Sequence, residues 1–249
     1  MKGLTERRVD RWGKQTIAGY WANLLVCTPT WRRVGVQFHD EMTAAYLDAY
    51  DTLSTKIGKA DPMLRDGVQM LRDGTMTLST EPDYVRAQNA VHVTKLMWRL
   101  YNASWRVLVN DTDTEYVTSD NPASFVDQGN WTGRPPPFLR YLPITPRVCL
   151  SCQLTKGHAD QDEEPDFELS PRGDIWGSNI NLETVLSVNV CTAKCAESLV
   201  FTGAENDGVR QMVAKYADFR VEGEFLKIPI RDGYQLGSRT RAIERRAAT

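Results

Sequence analysis

Near residue 104 the apolar period of the chain changes, and that change limits the fold more than any motif does. Upstream, apolar residues recur every three or four positions. Val9, Trp12, Ile17, Tyr20, Trp21, Leu24 and Leu25 form one such stripe, and Val34, Phe38, Met42, Ala45, Tyr46, Ala49, Tyr50 and Leu53 form a second. Each stripe has the spacing of a helix with one buried side. Pro29 breaks the first helix, and Thr30 is the expected cap of the second. Gly67 and Gly74 weaken any helix between Lys59 and Thr80. Thr80 then reads as the cap of a further helix that carries Val91, His92, Met97 and Trp98. Downstream, "WRVLV" and "EYVTS" alternate with period two and read as strands joined by the polar turn "NDTDT". "FLRYLPITPRVCLSCQL" reads as one or two strands, with Pro143 and Pro146 demoting it to an edge, a bulge or a strand break.

Residues 181–201 and 206–218 restore the helical period, the first stretch capped by Asn181. "FRVEGEFLKIPI" reads as a hairpin turning at Glu-Gly. Helices, then hairpin-like strands, then helices and a terminal hairpin define an α+β chain. A helical N-terminal half would pack on a small, mostly antiparallel sheet. The connections are too short for a doubly wound parallel sheet. We expect one domain over residues 1–230, helical over 1–104 and sheet plus helices over 105–230. A basic, flexible tail would follow over 231–249.

Composition narrows the class. The 249 residues are 41% apolar and 25% charged, as in a globular chain with a real core. Lys and Arg number 30 against 32 Asp and Glu, so net charge does not support nucleic-acid binding. No stretch approaches the ~18–20 apolar residues of a membrane helix, and "MKGLTERRVDRWGK" lacks a signal-peptide core. Five cysteines, an odd number, fit a reducing compartment. The expected location is the cytoplasm, and apolar helical faces leave room for a homo-oligomer.

The strongest site candidate is Ser119-Asp120-Asn121-Pro122, at the end of an expected strand. Two readings are open. Ser119 and Asp120 can brace a turn, because short polar side chains bond nearby backbone amides. Alternatively the strand end presents Asp120 rigidly. A carboxylate so placed can orient water, hold a divalent cation or act as a general base, with Ser119 and Asn121 beside it and Glu115 or Asp127 assisting. Ser119 lacks the Gly-x-Ser-x-Gly elbow of a nucleophile. Trp131, among Gly129, Asn130 and Gly133, could stack on a ligand, with Arg134 and His92 as further ligand-binding candidates.

Other constellations are weaker. His39 and His158 sit in charged surroundings. Cys149-x-x-Cys152 would point to both faces of a strand, which does not suit a zinc knuckle. It also lacks the strand-then-helix context of a redox motif. Cys191 and Cys195 share a helix face but read as small core residues. "DQDEEPD" lacks the calcium-loop spacing, and "RPPP" reads as a stiff connector. No phosphate-binding glycine loop and no His-Glu-x-x-His is present.

Four segments in order carry a resemblance. They are "IAGYWANLLVCTPTWRR", "SWRVLVNDTDTEYVTSDNPASF", "YLPITPRVCLSCQL" and "VLSVNVCTAKCAESLVF". Together they resemble a bacterial domain-of-unknown-function family (domain of unknown function 4238), with its Ser-Asp-Asn-Pro loop and Pro-Leu-Ser/Thr-Pro strand. The resemblance spans Ile17 to Thr202. The family's upstream His-x-x-Pro has no counterpart, and Cys27 stands where an Arg usually precedes Thr-Pro. It implies an architecture but no reaction. The expectation is a cytoplasmic bacterial or phage-related protein, with a defence or mobile-element system as a candidate setting. Its reaction is uncharacterised, and the expected role is a binding or regulatory module that uses the Ser119–Pro137 region. The alternative is a hydrolase or metal-dependent phosphodiesterase using Asp120.

Overall fold

The computed structural model describes residues 11–57, 62–126, 138–154, 175–230 and 233–245. Four helices come first: α1 (Arg11–Cys27), α2 (Pro29–Ile57), α3 (Pro62–Arg72) and α4 (Pro82–Asn102). Three of them begin at a proline, whose fixed φ and missing N–H suit the first helical position. That geometry corrects two expected caps. The residue before each proline must do the capping, so Thr28 rather than Thr30 accepts from Trp31 N at 3.2 Å. Glu81, not Thr80, stands at the cap of α4, and it makes no side-chain cap bond. The Thr80 hydroxyl donates instead to Asp40. An 11-residue helix also forms in the glycine-weakened stretch after Lys59.

The strands are β1 (Ser104–Asn110), β2 (Thr118–Ser119), β3 (Ser124–Phe125), β4 (Phe138–Thr145), β5 (Val148–Leu154) and β6 (Ile175–Ile180). Then follow α5 (Leu182–Cys195), β7 (Val200–Phe201), α6 (Asp207–Tyr216), β8 (Phe219–Ile230) and β9 (Gly233–Glu244). A five-stranded sheet has the order β3-β4-β5-β1-β6. Every pairing in it is antiparallel except β1 with β6. The chain is therefore α+β with a mostly antiparallel sheet.

Alternation along the strands divides the core. Trp105 and Cys152 face one another across β1 and β5 and pack with Ala18, Trp21 and Leu25 of α1 and Leu100 of α4. Leu108 and Cys149 point the other way, into Tyr116 and into Val185 and Val188 of α5. Trp21 and Trp105 meet edge to face with centroids 5.5 Å apart. Helices thus cover both faces of the sheet. The α1 stripe is narrower than its sequence suggests, since Trp12 and Tyr20 stay exposed.

Three expectations about the strands change. First, β1 and β2 form no hairpin: β1 lies between β5 and β6, and β2 pairs with β7. Glu115 to Val117 are not strand because a side chain takes their backbone bonds. Asn189 of α5, itself buried, accepts from Val117 N at 3.0 Å and donates to Glu115 O at 2.8 Å. Second, the edge alternative fails for β5, which is central, while the bulge and the strand break hold. Pro143 ends the regular part of β4, where the register shifts before Thr145, and Pro146 sits in the β4–β5 turn. Third, β8 runs unbroken through Gly223 and pairs along its length with β9. Residues 233–244, expected to fray, form that second strand. Gly223 is needed for close approach: a Cβ there would stand 2.8 Å from the Phe38 ring of α2.

Candidate functional site

The Ser119–Pro122 corner is held by its side chains. The Ser119 hydroxyl donates to Asn121 O at 2.9 Å and accepts from Asn121 N at 3.2 Å, fixing a compact turn. Asn121 Nδ2 donates to Cys195 O, the last residue of α5, at 2.8 Å. Ser119 and Asn121 are both buried. Asp120 is half-buried and reaches across to the segment that follows α5. Its Oδ1 accepts from Glu197 N at 2.9 Å, and its Oδ2 accepts from Ser198 N at 2.9 Å and Leu199 N at 3.2 Å. Its own amide donates to Leu199 O. The carboxylate therefore caps a loop from elsewhere in the chain, and not its own turn.

That loop carries a second hub. The Glu197 carboxylate accepts from the Thr30 hydroxyl at 2.9 Å, from Arg33 through Nε and Nη2 at 3.1 Å each, and from Arg220 at 2.6 Å. Arg33 also bonds Glu222 and the Val221 carbonyl, and Gln37 bonds both Glu222 and Gly223 N. Burial alone would raise the pKa of Glu197. The hydrogen bonds from Arg33, Arg220 and Thr30 outweigh it and hold the group at about 2. The network ties α2, the loop after α5 and β8 to one another.

Behind the corner lies a cavity of about 20 Å³. Asn121, Ala123 and Phe125 line it together with the capping Thr28, Thr30 and Val34 of α2, Val221 of β8 and Thr240 of β9. Arg140 of β4 completes the lining and is only 8% exposed. Its Nη1 donates to Ala123 O at 3.4 Å and its guanidinium lies over the Phe125 ring, 5.8 Å from the centroid. Burial pulls its pKa down to about 10, and the group stays cationic at neutral pH.

The sequence candidates separate as follows. Ser119, Asp120 and Asn121 stand together. Glu115 does not join them: its Oε2 is buried against Gly203, with no hydrogen-bond partner among the described residues. His92 falls on α4, but its side chain lies outside the described residues, as do Asp127, Trp131 and Arg134. Cys149 and Cys152 face opposite sides of the sheet, as their spacing predicts. Burial raises both thiols, Cys152 to about 12. Among the described residues no three His, Cys, Asp or Glu side chains are grouped to hold a metal ion, and no helix is long and apolar enough to cross a membrane.

Sequence reasoning missed Arg140, Glu197, Arg33 and Arg220. One signal was available for Arg140: a charge at an inward position of "FLRYLPIT", in register with Cys152. No curated protein and no solved structure matches the chain. The family model described as Protein of unknown function (DUF4238) matches residues 5–206. That span holds the helical layers, the sheet, the Ser-Asp-Asn-Pro corner and the loop it caps, and the chain belongs to this family.

Proposed function

We propose that the chain is a binding module, and that its site is the cavity which Asn121, Ala123 and Phe125 share with α2 and β4. The observation that carries this reading is the state of Asp120. Both of its oxygens are engaged by three backbone amides, leaving it poorly placed to take a proton from water or to ligate a cation. The cavity beside it, in contrast, gathers Thr28, Thr30, Asn121 and Arg140, four buried polar side chains, against apolar walls. A few convergent polar groups on an apolar surround are the usual make-up of a small-ligand site. A cytoplasmic bacterial or phage-related setting remains part of the proposal.

The test is a thermal-shift screen of the full chain against small polar ligands. A hit should move backbone amide resonances of residues 121–125, and Asn121→Ala should weaken it. Divalent-metal-dependent cleavage of a phosphodiester probe, abolished by Asp120→Asn in a folded protein, would overturn the reading in favour of a hydrolase.

A further inference from the structure

Asp120 does more than cap a loop: the amides it holds lead straight into β7, one strand of a two-stranded sheet. In register, Val200 stands opposite Ser119 and Phe201 opposite Thr118. Leu199 O accepts from Asp120 N, so Leu199 and Phe201 turn their backbone polar groups toward β2. Alternation then turns the N–H and C=O of Val200 to the opposite edge. Among the described residues no strand pairs with β7 on that side. The side chains of Leu199 and Phe201 share one face of the strand, and they are 55% and 50% exposed. Soluble proteins blunt such an edge with a charge, a proline or a bulge. From Ser198 to Ala204 there is no charge and no proline.

An open backbone edge asks for an extended chain, and electrostatics single out a second copy of this one. In a twofold antiparallel pairing centred on Val200, Val200 meets its own counterpart. Leu199 of each copy then stands opposite Phe201 of the other, so the seam is self-complementary. The usual obstacle to such a contact is that like charges meet across the axis. Here the flanking charges are already matched within each copy. Asp120 is held by three amides, Glu197 by Arg33 and Arg220, and Glu205 by Arg210. The clamp also orders residues 197–199 in advance, which lowers the entropy cost of pairing. We propose that β7 is a homodimer edge, on which a second copy lays its own β7 antiparallel to give a continuous β2-β7-β7-β2 sheet. None of residues 198–202 lines the cavity, so this interface stands apart from it. It gives the Ser-Asp-Asn-Pro corner a role, that of presenting a rigid strand.

A seam this short belongs with weak, transient contacts. Self-association of the full chain is therefore read by sedimentation equilibrium from about 10 µM to about 1 mM. Expected is a monomer–dimer equilibrium. Leu199→Glu and Phe201→Lys alter exposed side chains, so both variants should fold, with parent-like melting at low concentration. Each should weaken the dimer by about tenfold or more, because the twofold axis counts every lost cross-strand pair twice. Mixing the two variants should restore association, because the new carboxylate at position 199 then faces the new ammonium at position 201 across the axis. Amide exchange of the parent needs no variant. Val200 N–H should slow with rising concentration, while Phe201 N–H, which faces β2, does not respond. A parent that stays monomeric across the range, or a Val200 amide that ignores concentration, overturns the proposal. So does a dimer that both variants leave intact, since its interface lies elsewhere. Failure of the folded variants to associate when mixed, with the parent dimeric, overturns the antiparallel pairing and the proposal with it. An edge protected only by an added extended peptide belongs to a different partner, and the second copy is then ruled out.

Discussion

Replacing Asp120 by Ala is the most informative single change. It removes the acceptor of three charge-assisted bonds, from the amides of Glu197, Ser198 and Leu199 at 2.9, 2.9 and 3.2 Å. Hydrogen bonds to a charged group contribute about 1.5–3 kcal/mol each when broken singly. The three are not additive, because they share one carboxylate and two of them lie at the exposed rim, where water replaces the lost oxygen. The Glu197 amide is part-buried and recovers less. We therefore expect a loss of about 2–4 kcal/mol, toward the upper end of ordinary point substitutions. For a chain of this length that is a fall of roughly 4–16 °C in Tm, at about 2–4 °C per kcal/mol. Asp120→Asn keeps one acceptor and turns an NH2 toward the amides, so it should recover less than half of the loss. Urea and thermal unfolding followed by circular dichroism give the magnitude. Amide exchange gives the location, with faster exchange at residues 197–199 as the signature of a lost cap. A change in stability below about 0.5 kcal/mol, the scale of an ordinary surface substitution, together with unaltered exchange there, would refute the clamp. If that silence came with loss of a catalytic turnover, the carboxylate would be a chemical group after all.

Three further outcomes follow from the same geometry. Glu197 is held at about 2, below the 4.5 of a free glutamate, so its stabilisation is complete above about pH 4.5. It is lost as pH falls from there through 2, and Glu197→Gln should flatten the acid limb of a stability–pH curve in that window. Asn189→Ala strips the partners from Val117 N and Glu115 O, the first of them buried, and should cost about 2–4 kcal/mol in urea unfolding. Asn189→Asp should rescue little, because it keeps the acceptor and loses the donor. Cys27 is exposed whereas Cys149 and Cys152 are buried with raised thiols, so reagent at pH 8 should modify Cys27 first and reach the β5 pair only on unfolding. Early modification of Cys149 would contradict the burial of that face.

Particular residues show how far the chain was readable. The stripes of α1, α2 and α4, the Asn181 cap of α5 and the alternation of β1 and β5 are local signals, and local geometry honours them. Asn181 accepts from Thr184 N as a cap should. The turn-bracing half of the Asp120 reading was also legible, but its object was not. An aspartate before Asn-Pro looks as though it serves its own turn, whereas it holds amides some 77 to 79 positions later. Sequence has no term for that. The Glu-Gly hairpin expected at Gly223 failed for the same reason: glycine suits a tight turn, and it also suits a strand pressed on an aromatic ring.

Composition and periodicity alone determined the class of this protein and the position of the helical half, and the Ser-Asp-Asn-Pro spelling marked residues 119–122 as a braced turn. These follow from near-neighbour rules, in which each side chain needs only the next turn or the next strand residue to declare its side. Tertiary structure decided the partners. It brought Arg140, Asn121 and the start of α2 to one cavity, added Val221 and Thr240 of the β8–β9 hairpin to its lining, and set Asp120 on a distant loop. The physical reason is that a buried charge or amide must find its counterpart wherever the fold supplies one. That counterpart is set by how layers stack, not by spacing along the chain.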